Sequence, residues 1–283
     1  MTERQPPQPR GSRRPLFLAA WLALTCAALL TLTVSHPAHA APPRLSPLAV
    51  WLLTDPRAVE RGLEGTAVAV FSVPVNEARL VFMPVSRERP LPSGYEPPDL
   101  RPVEGRLVRE LIVADLKAMM LAAEHDRVDL TMISTYRSAA EQARIHDDAV
   151  WRAMARLPQG GDQTEATVRA SRFVAPPGHS QHQLGTAIDF STYEIGYGVR
   201  GTFADTRAGT WLADHAASFG FVLSYPPDAE SKTGYAYEPW HWRWVGRALA
   251  LAIEGDPLRE VRPLVVDDYL RAIEEIMDAE GLP

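Results

Sequence analysis

The stretch PPGHSQHQLGTAID, from Pro176 to Asp189, constrains this chain more than any other. A Pro-Pro-Gly turn delivers His179 and His182, Gly185 interrupts the local pattern, and Asp189 sits in the short apolar run AIDF. An imidazole and a carboxylate on a loop leading into a strand supply part of a zinc site, provided a third ligand arrives from elsewhere. Glu238-Pro239-Trp240-His241, further along the chain, is the best source of that ligand.

His182, Asp189 and His241 would offer two imidazoles and one carboxylate and leave a position open for water, which zinc turns into a nucleophile near neutral pH. Such a water needs a base to take its proton and return it to a leaving amine, and Glu238 is the candidate. In a flat strand Glu238 and His241 would point to opposite faces, because side chains alternate. Their cooperation therefore predicts a bend at Pro239-Trp240. Arg137 stands between a strand and a helix start, where a guanidinium can stabilise an oxyanion or bind a carboxylate. Gln142, on the first turns of that helix, is placed to hydrogen-bond a peptide. His125, His146 and His215 are read as structural, His179 as a loop residue, and Tyr235, Tyr237, Trp240, Trp242 and Trp244 as core.

The first forty residues stand apart. Arg4, Arg10, Arg13 and Arg14 precede an uncharged run from Leu16 to Val34, which ends in the small-residue pattern Ala38-His39-Ala40. These are the three parts of an export signal. The apolar run is longer than usual for a signal, so an uncleaved anchor is the alternative. Arg13-Arg14 before Pro15, Leu16 and Phe17 also resembles a twin-arginine signal. The one cysteine, Cys26, lies in this leader, so a processed chain has no disulfide, no cysteine-ligated zinc and no thiol chemistry. Removing residues 1–40 takes away four of 29 basic and one of 35 acidic residues and leaves a net charge of −9. That balance argues against a nucleic-acid partner, whose binding needs a basic footprint.

After a proline-rich linker, Thr66–Val73 and Ala78–Val85 read as two strands of a hairpin, and Arg89–Pro102 as an extended surface segment. Val108, Ile112, Leu116, Met119 and Ala123 recur at helical spacing and predict a helix over Val103–His125. Val128–Ile133 reads as a strand. Ser138 with Glu141 forms a capping box that opens a helix running to Arg156. A helix near Glu165–Arg172, another over Trp211–Phe219, strands at Phe221–Tyr225 and Tyr235–Val245, and two closing helices complete an α+β order.

Three segments, in order along the chain, carry a resemblance: Ser134-x-Tyr136-Arg137-Ser138 with Gln142, Ser180-x-His182-x-x-Gly185-x-Ala187-x-Asp189, and Glu238-Pro239-Trp240-His241. They match motifs of the VanY-type D-alanyl-D-alanine carboxypeptidases, a zinc peptidase group that also holds D-Ala-D-Ala dipeptidases, L,D-carboxypeptidases and phage endolysins. LPSGYEPPDL (Leu91–Leu100), FGFVLSYP (Phe219–Pro226) and TGYAYEPWHWRWVG (Thr233–Gly246) resemble the same enzymes. The resemblance implies an α+β zinc peptidase domain of the Hedgehog/DD-peptidase type over residues 80–250, with helices packed on a mainly antiparallel sheet. Residues 1–40 would be the leader, 41–79 an N-terminal extension and 251–283 a C-terminal helical extension. It implies Zn2+ held by His182, Asp189 and His241, Glu238 as general base, Arg137 as carbonyl or oxyanion stabiliser, and Ser180 and Gln142 on the substrate side. Two positions depart from the pattern: Gln181 stands where many relatives carry Glu, and Ser224 where an arginine often precedes Tyr-Pro. An effect on substrate preference is the expectation for both.

The function implied is an exported, monomeric zinc carboxypeptidase that removes the terminal D-alanine of peptidoglycan stem peptides and touches the membrane only through its leader. An L,D-carboxypeptidase or endopeptidase acting on the same peptides is the near alternative, and a metal-binding wall module without turnover is the distant one.

Overall fold

A computed structural model describes residues 79, 81–159, 161–256 and 265–279. The leader and the strand expected over Thr66–Val73 lie outside them. A hairpin opens the described fold, β1 (Leu100–Val103) and β2 (Arg106–Arg109). Helix α1 (Val113–His125), β3 (Thr131–Ser134), α2 (Ala139–Met154) and α3 (Gln163–Ser171) follow. Next come β4 (Ala187–Ser191), α4 (Arg207–His215), β5 (Phe221–Leu223), the single turn α5 (Glu230–Thr233) and β6 (His241–Trp244). Two helices close the chain, α6 (Arg247–Glu254) and α7 (Val266–Ala279).

The main sheet is antiparallel throughout, in the order β3-β4-β6-β5. Its register sorts side chains by face, because directly opposed residues share a side. Ile188 opposes Trp242, Met132 opposes Phe190, and Phe221 opposes Trp244, which gives one apolar face. These residues join Ile112, Leu116, Met119 and Ala123 in one core cluster. Asp189 opposes His241 and Ala187 opposes Arg243, so the other face is polar. Every residue of β4 and β6 is buried, because both faces are covered.

Caps set the helix starts. The Ser138 hydroxyl accepts from the Glu141 amide at 3.2 Å, as the capping box predicts, and the Asp162 carboxylate accepts from the Glu165 amide at 2.9 Å. The first helix begins later than its periodicity suggests. Val103 to Arg109 belongs to the β1–β2 hairpin, whose turn residues Glu104 and Gly105 have φ of 49° and 76°. Two successive positive φ values favour a tight hairpin over a helix start. The strand expected over Ala78–Val85 is also absent among the described residues there. Val81 and Met83 give their carbonyls to the buried Arg243 guanidinium at 2.9 and 2.8 Å in place of a strand ladder. At the C-terminus, Val266, Tyr269, Leu270, Ile273 and Met277 form a helical stripe that joins the main core.

Candidate active site

The β4–β6 pairing builds the centre of the site, since Asp189 and His241 are register partners on the polar face. His182 reaches them from a 3-10 turn, Gln181–Leu184, which ends at Gly185 with φ 71°. Left-handed backbone there favours glycine, and a Cβ would stand 3.1 Å from Arg109 Cγ and 3.2 Å from Leu100 Cδ2. The β1–β2 hairpin thus packs directly under the loop that carries His182, and the Arg109 amide donates to the Gly185 carbonyl at 3.0 Å.

His182 Nε2 lies 3.1 Å from Asp189 Oδ2, and His241 Nδ1 lies 2.9 Å from Asp189 Oδ1. One ligand atom from each of the three residues can be chosen so that all lie within 4.8 Å of one another. The remaining imidazole nitrogens are held by protein: His182 Nδ1 sits 2.7 Å from the Thr135 carbonyl, and His241 Nε2 sits 3.1 Å from Gln181 Oε1. A carbonyl oxygen can only accept, so each of these nitrogens carries the hydrogen when its ring is neutral. The lone pairs on His182 Nε2 and His241 Nδ1 then face the two oxygens of one carboxylate. That arrangement repels itself unless protons or a cation stand between them. Burial lowers the pKa of His241 against the pull of Asp189, which disfavours the proton there. Burial alone would raise the Asp189 carboxyl, but its charge and hydrogen-bond interactions with His182 and His241 outweigh that and hold it well below the usual range. Two imidazoles and a carboxylate with their lone pairs converging suit zinc.

Beside this group the chain turns as the Glu-Pro-Trp-His spacing requires. The His241 amide donates to the Glu238 carbonyl at 3.0 Å, closing a turn over Pro239-Trp240, and the strand begins only at His241. Glu238 Oε2 comes to 4.0 Å from His241 Nδ1. Burial first, and the neighbouring Asp189 carboxylate second, push the Glu238 carboxyl well above its ordinary value, while Arg137 pulls it back. Tyr225 stacks on His241 with ring centroids 4.9 Å apart.

Arg137 faces the group from the other side, its Nη2 3.9 Å from Asp189 Oδ2. A bulge in β3 between Met132 and Ser134 brings Ser134 opposite Asp189, and the Ser134 hydroxyl accepts from Arg137 Nη2 at 2.7 Å. Gln142 Oε1 accepts from Arg137 Nη1 at 2.8 Å, and Gln142 Nε2 donates to the Ala175 carbonyl at 2.6 Å. Gln142 is buried and both ends of its amide are engaged, so its reach is to the guanidinium. Ser180 Oγ accepts from the His182 amide at 3.3 Å and caps the ligand turn. His179 lies apart from the group, its Nδ1 3.0 Å from the Ser86 carbonyl, and His146 Nε2 meets Ser171 Oγ at 3.0 Å. Gln181 and Ser224 lie beneath His241, joined by a 2.7 Å hydrogen bond from the serine hydroxyl. The sequence does not single out the Thr135 carbonyl or the Tyr225 ring. The first is a backbone group with no residue signature. The second was visible as the Tyr-Pro of FGFVLSYP.

Comparison with known proteins agrees with this geometry. The D-alanyl-D-alanine carboxypeptidase family, VanY, matches residues 105–247. The putative carboxypeptidase YodJ of Bacillus subtilis is 31% identical over 202 residues, which cover 68% of this chain and 67% of that protein. Among solved structures, a zinc complex of a mutant D,D-pentapeptidase VanY from a VanB-type vancomycin resistance cassette superposes with a TM-score of 0.57 at 31% identity. It covers 68% of this chain and 99% of that one. The LD-carboxypeptidase LdcB superposes with a TM-score of 0.55 at 31% identity, covering 66% of this chain and 84% of that one. With that likeness and the His182–Asp189–His241 group in hand, the chain belongs to the VanY family of D-alanyl-D-alanine carboxypeptidases and is a zinc metallopeptidase.

Proposed function

We propose that this chain is an exported carboxypeptidase that removes the terminal D-alanine from peptidoglycan stem peptides. The observation that carries the reading is the buried Glu238 carboxyl, 4.0 Å from His241 Nδ1 and near enough to Asp189 for that carboxylate to push it up. A metal site that served structure alone would close its coordination with a fourth protein ligand and would need no base. Among the described residues, the group that could hold a metal consists of His182, Asp189 and His241.

His182 Nε2, an Asp189 oxygen and His241 Nδ1 would hold zinc. When bound, zinc supplies Lewis acidity toward the substrate carbonyl and the attacking water. Glu238 takes a proton from that water as its oxygen adds to the scissile carbonyl carbon. The C–N bond then breaks, and Glu238 returns the proton to the departing D-alanine amine. Arg137, fixed by Ser134 and Gln142, presents its guanidinium to the oxygen that gains charge. Ser180, its oxygen already capping the His182 turn, has a hydroxyl proton to donate to the peptide. Export rests on the leader pattern of residues 1–40.

A second reading, removal of D-alanine from an L-centred linkage, has one observation in its favour: the superposition on LdcB is nearly as good as that on VanY. The test is to incubate the chain from Ala41 onward with defined penta- and tetrapeptide muropeptides, with and without a chelator, and weigh the products by mass spectrometry. Chelator-sensitive loss of one alanine from the pentapeptide supports the D,D reading. Cleavage of the tetrapeptide alone supports the L,D reading, and an intact pair overturns both.

A further inference from the structure

The side chain below the metal group is Gln181, which is 1% exposed. Its Oε1 takes two contacts, His241 Nε2 at 3.1 Å and the Ser224 hydroxyl at 2.7 Å. Its Nε2 is buried and has no hydrogen-bond partner. Turning the amide over would aim Nε2 at the Ser224 hydroxyl oxygen and at the ring nitrogen of His241, and would put Oε1 in the unpartnered place instead. His241 Nε2 would then have to accept, and its hydrogen would move to Nδ1. Nδ1 is the nitrogen that faces Asp189 at 2.9 Å and the one that must be bare to bind a metal.

We infer that Gln181, held by Ser224, is a positioning residue that selects the metal-binding tautomer of His241. With Oε1 toward the ring, the amide accepts from Nε2, which keeps a hydrogen there and a lone pair on Nδ1. Ser224 is tied to His241 a second time, its amide donating to the His241 carbonyl at 3.2 Å, so the acceptor, its serine and the imidazole move as one unit. Because the acceptor is an amide, it adds no charge, and Asp189 remains the one carboxylate among the three proposed ligands. Partners of this kind typically alter metal affinity by about 10–100-fold when removed.

The inference rests on zinc binding at His182, Asp189 and His241, and the experiment separates the two failures. Zinc affinity is measured by competition with a chromophoric chelator for the unsubstituted chain and for Gln181→Met, Gln181→Glu and Ser224→Ala. Long-range proton–nitrogen spectra of the imidazoles of the metal-free chain read which nitrogen of His241 carries hydrogen. Gln181→Met, of similar length but without a strong acceptor, is expected to weaken zinc by about 10–100-fold. Gln181→Glu keeps an acceptor and is expected to bind zinc at least as tightly as the unsubstituted chain, while Ser224→Ala weakens it by less than Gln181→Met. The spectrum is expected to show hydrogen on Nε2 and a bare Nδ1. Equal zinc affinity in Gln181→Met, or hydrogen on Nδ1 in the metal-free chain, overturns the role of Gln181. Should Gln181→Met not fold, the spectrum of the unsubstituted chain decides the matter by itself. A chain that binds no zinc in any form fails the underlying reading instead.

Discussion

Two buried aspartates act on strand β6, and their environments are opposite. Asp189 meets His241 and His182 with both oxygens engaged, and is held well below the usual carboxylate range despite its burial. Asp267, from the closing helix, sits near Arg243, yet its Oδ1 has no partner, and neither do Arg243 Nε and Nη1. Burial raises the Asp267 carboxyl to about 6, against the pull of Arg243 and Arg271. The two cases differ in hydrogen bonding more than in depth. Charge buried with complete geometry can be held ionised, whereas a half-engaged pair carries its desolvation largely uncompensated. The first arrangement suits a metal site, and the second stands at the start of the closing helix, by an arginine of the same sheet face.

Substitutions at either aspartate, and at the groups around them, separate the two environments. The largest effect is expected from Asp189→Ala, which removes the shared partner of both imidazoles. Zinc should be lost on dialysis, and turnover should fall by more than the roughly 10²–10⁴-fold typical of a single acid–base group. Retained zinc would show that Asp189 is not a ligand. Next is Arg137→Lys, which keeps the charge but cannot reach both Ser134 and Gln142. Its kcat should drop by about 10²-fold with zinc content unchanged, as for loss of one oxyanion donor. An unaltered kcat would remove Arg137 from the chemistry.

Asp267 gives a test of stability alone. Its carboxyl titrates near 6 when folded and near 3.9 in an unfolded chain, so between these values the folded state binds more protons. Its contribution is therefore most favourable below pH 3.9 and is lost as pH rises toward 6, by on the order of 3 kcal/mol. Urea unfolding at several pH values should show that Asp267→Asn abolishes this part of the slope. An unchanged slope would mean that the pair is better satisfied than its geometry indicates. The smallest effect is expected from Gly185→Ala. Forcing a side chain into left-handed backbone against the hairpin should cost roughly 1–2 kcal/mol, read from the same melts, with a modest weakening of zinc through His182.

Much of this was legible in the chain. Ser138-x-x-Glu141 marks a helix start because the cap satisfies backbone donors locally, and the stripe Leu116, Met119, Ala123 marks a buried face. The bend between Glu238 and His241 follows from the alternation of side chains along a strand. The β1–β2 hairpin is hidden because Val108 stands four residues before Ile112 and so extends the helical stripe backwards; Glu104-Gly105 is the local turn signal. Val81 and Met83 look like a strand by composition, but a guanidinium from β6 takes their carbonyls, a long-range event with no local mark. Gln181 and Ser224 stand out in the sequence as departures from the family pattern, but nothing local shows that they touch a proposed metal ligand and each other.

The central claim is that Glu238 moves the proton at a zinc held by His182, Asp189 and His241. Zinc content and turnover of Glu238→Gln, measured on one preparation with a pentapeptide substrate, test it most directly. Zinc is expected to stay bound as in the unsubstituted chain, with turnover lower by about 10²–10⁴-fold. Near-normal turnover would contradict it, and so would loss of the metal, which would make Glu238 a ligand and not the base.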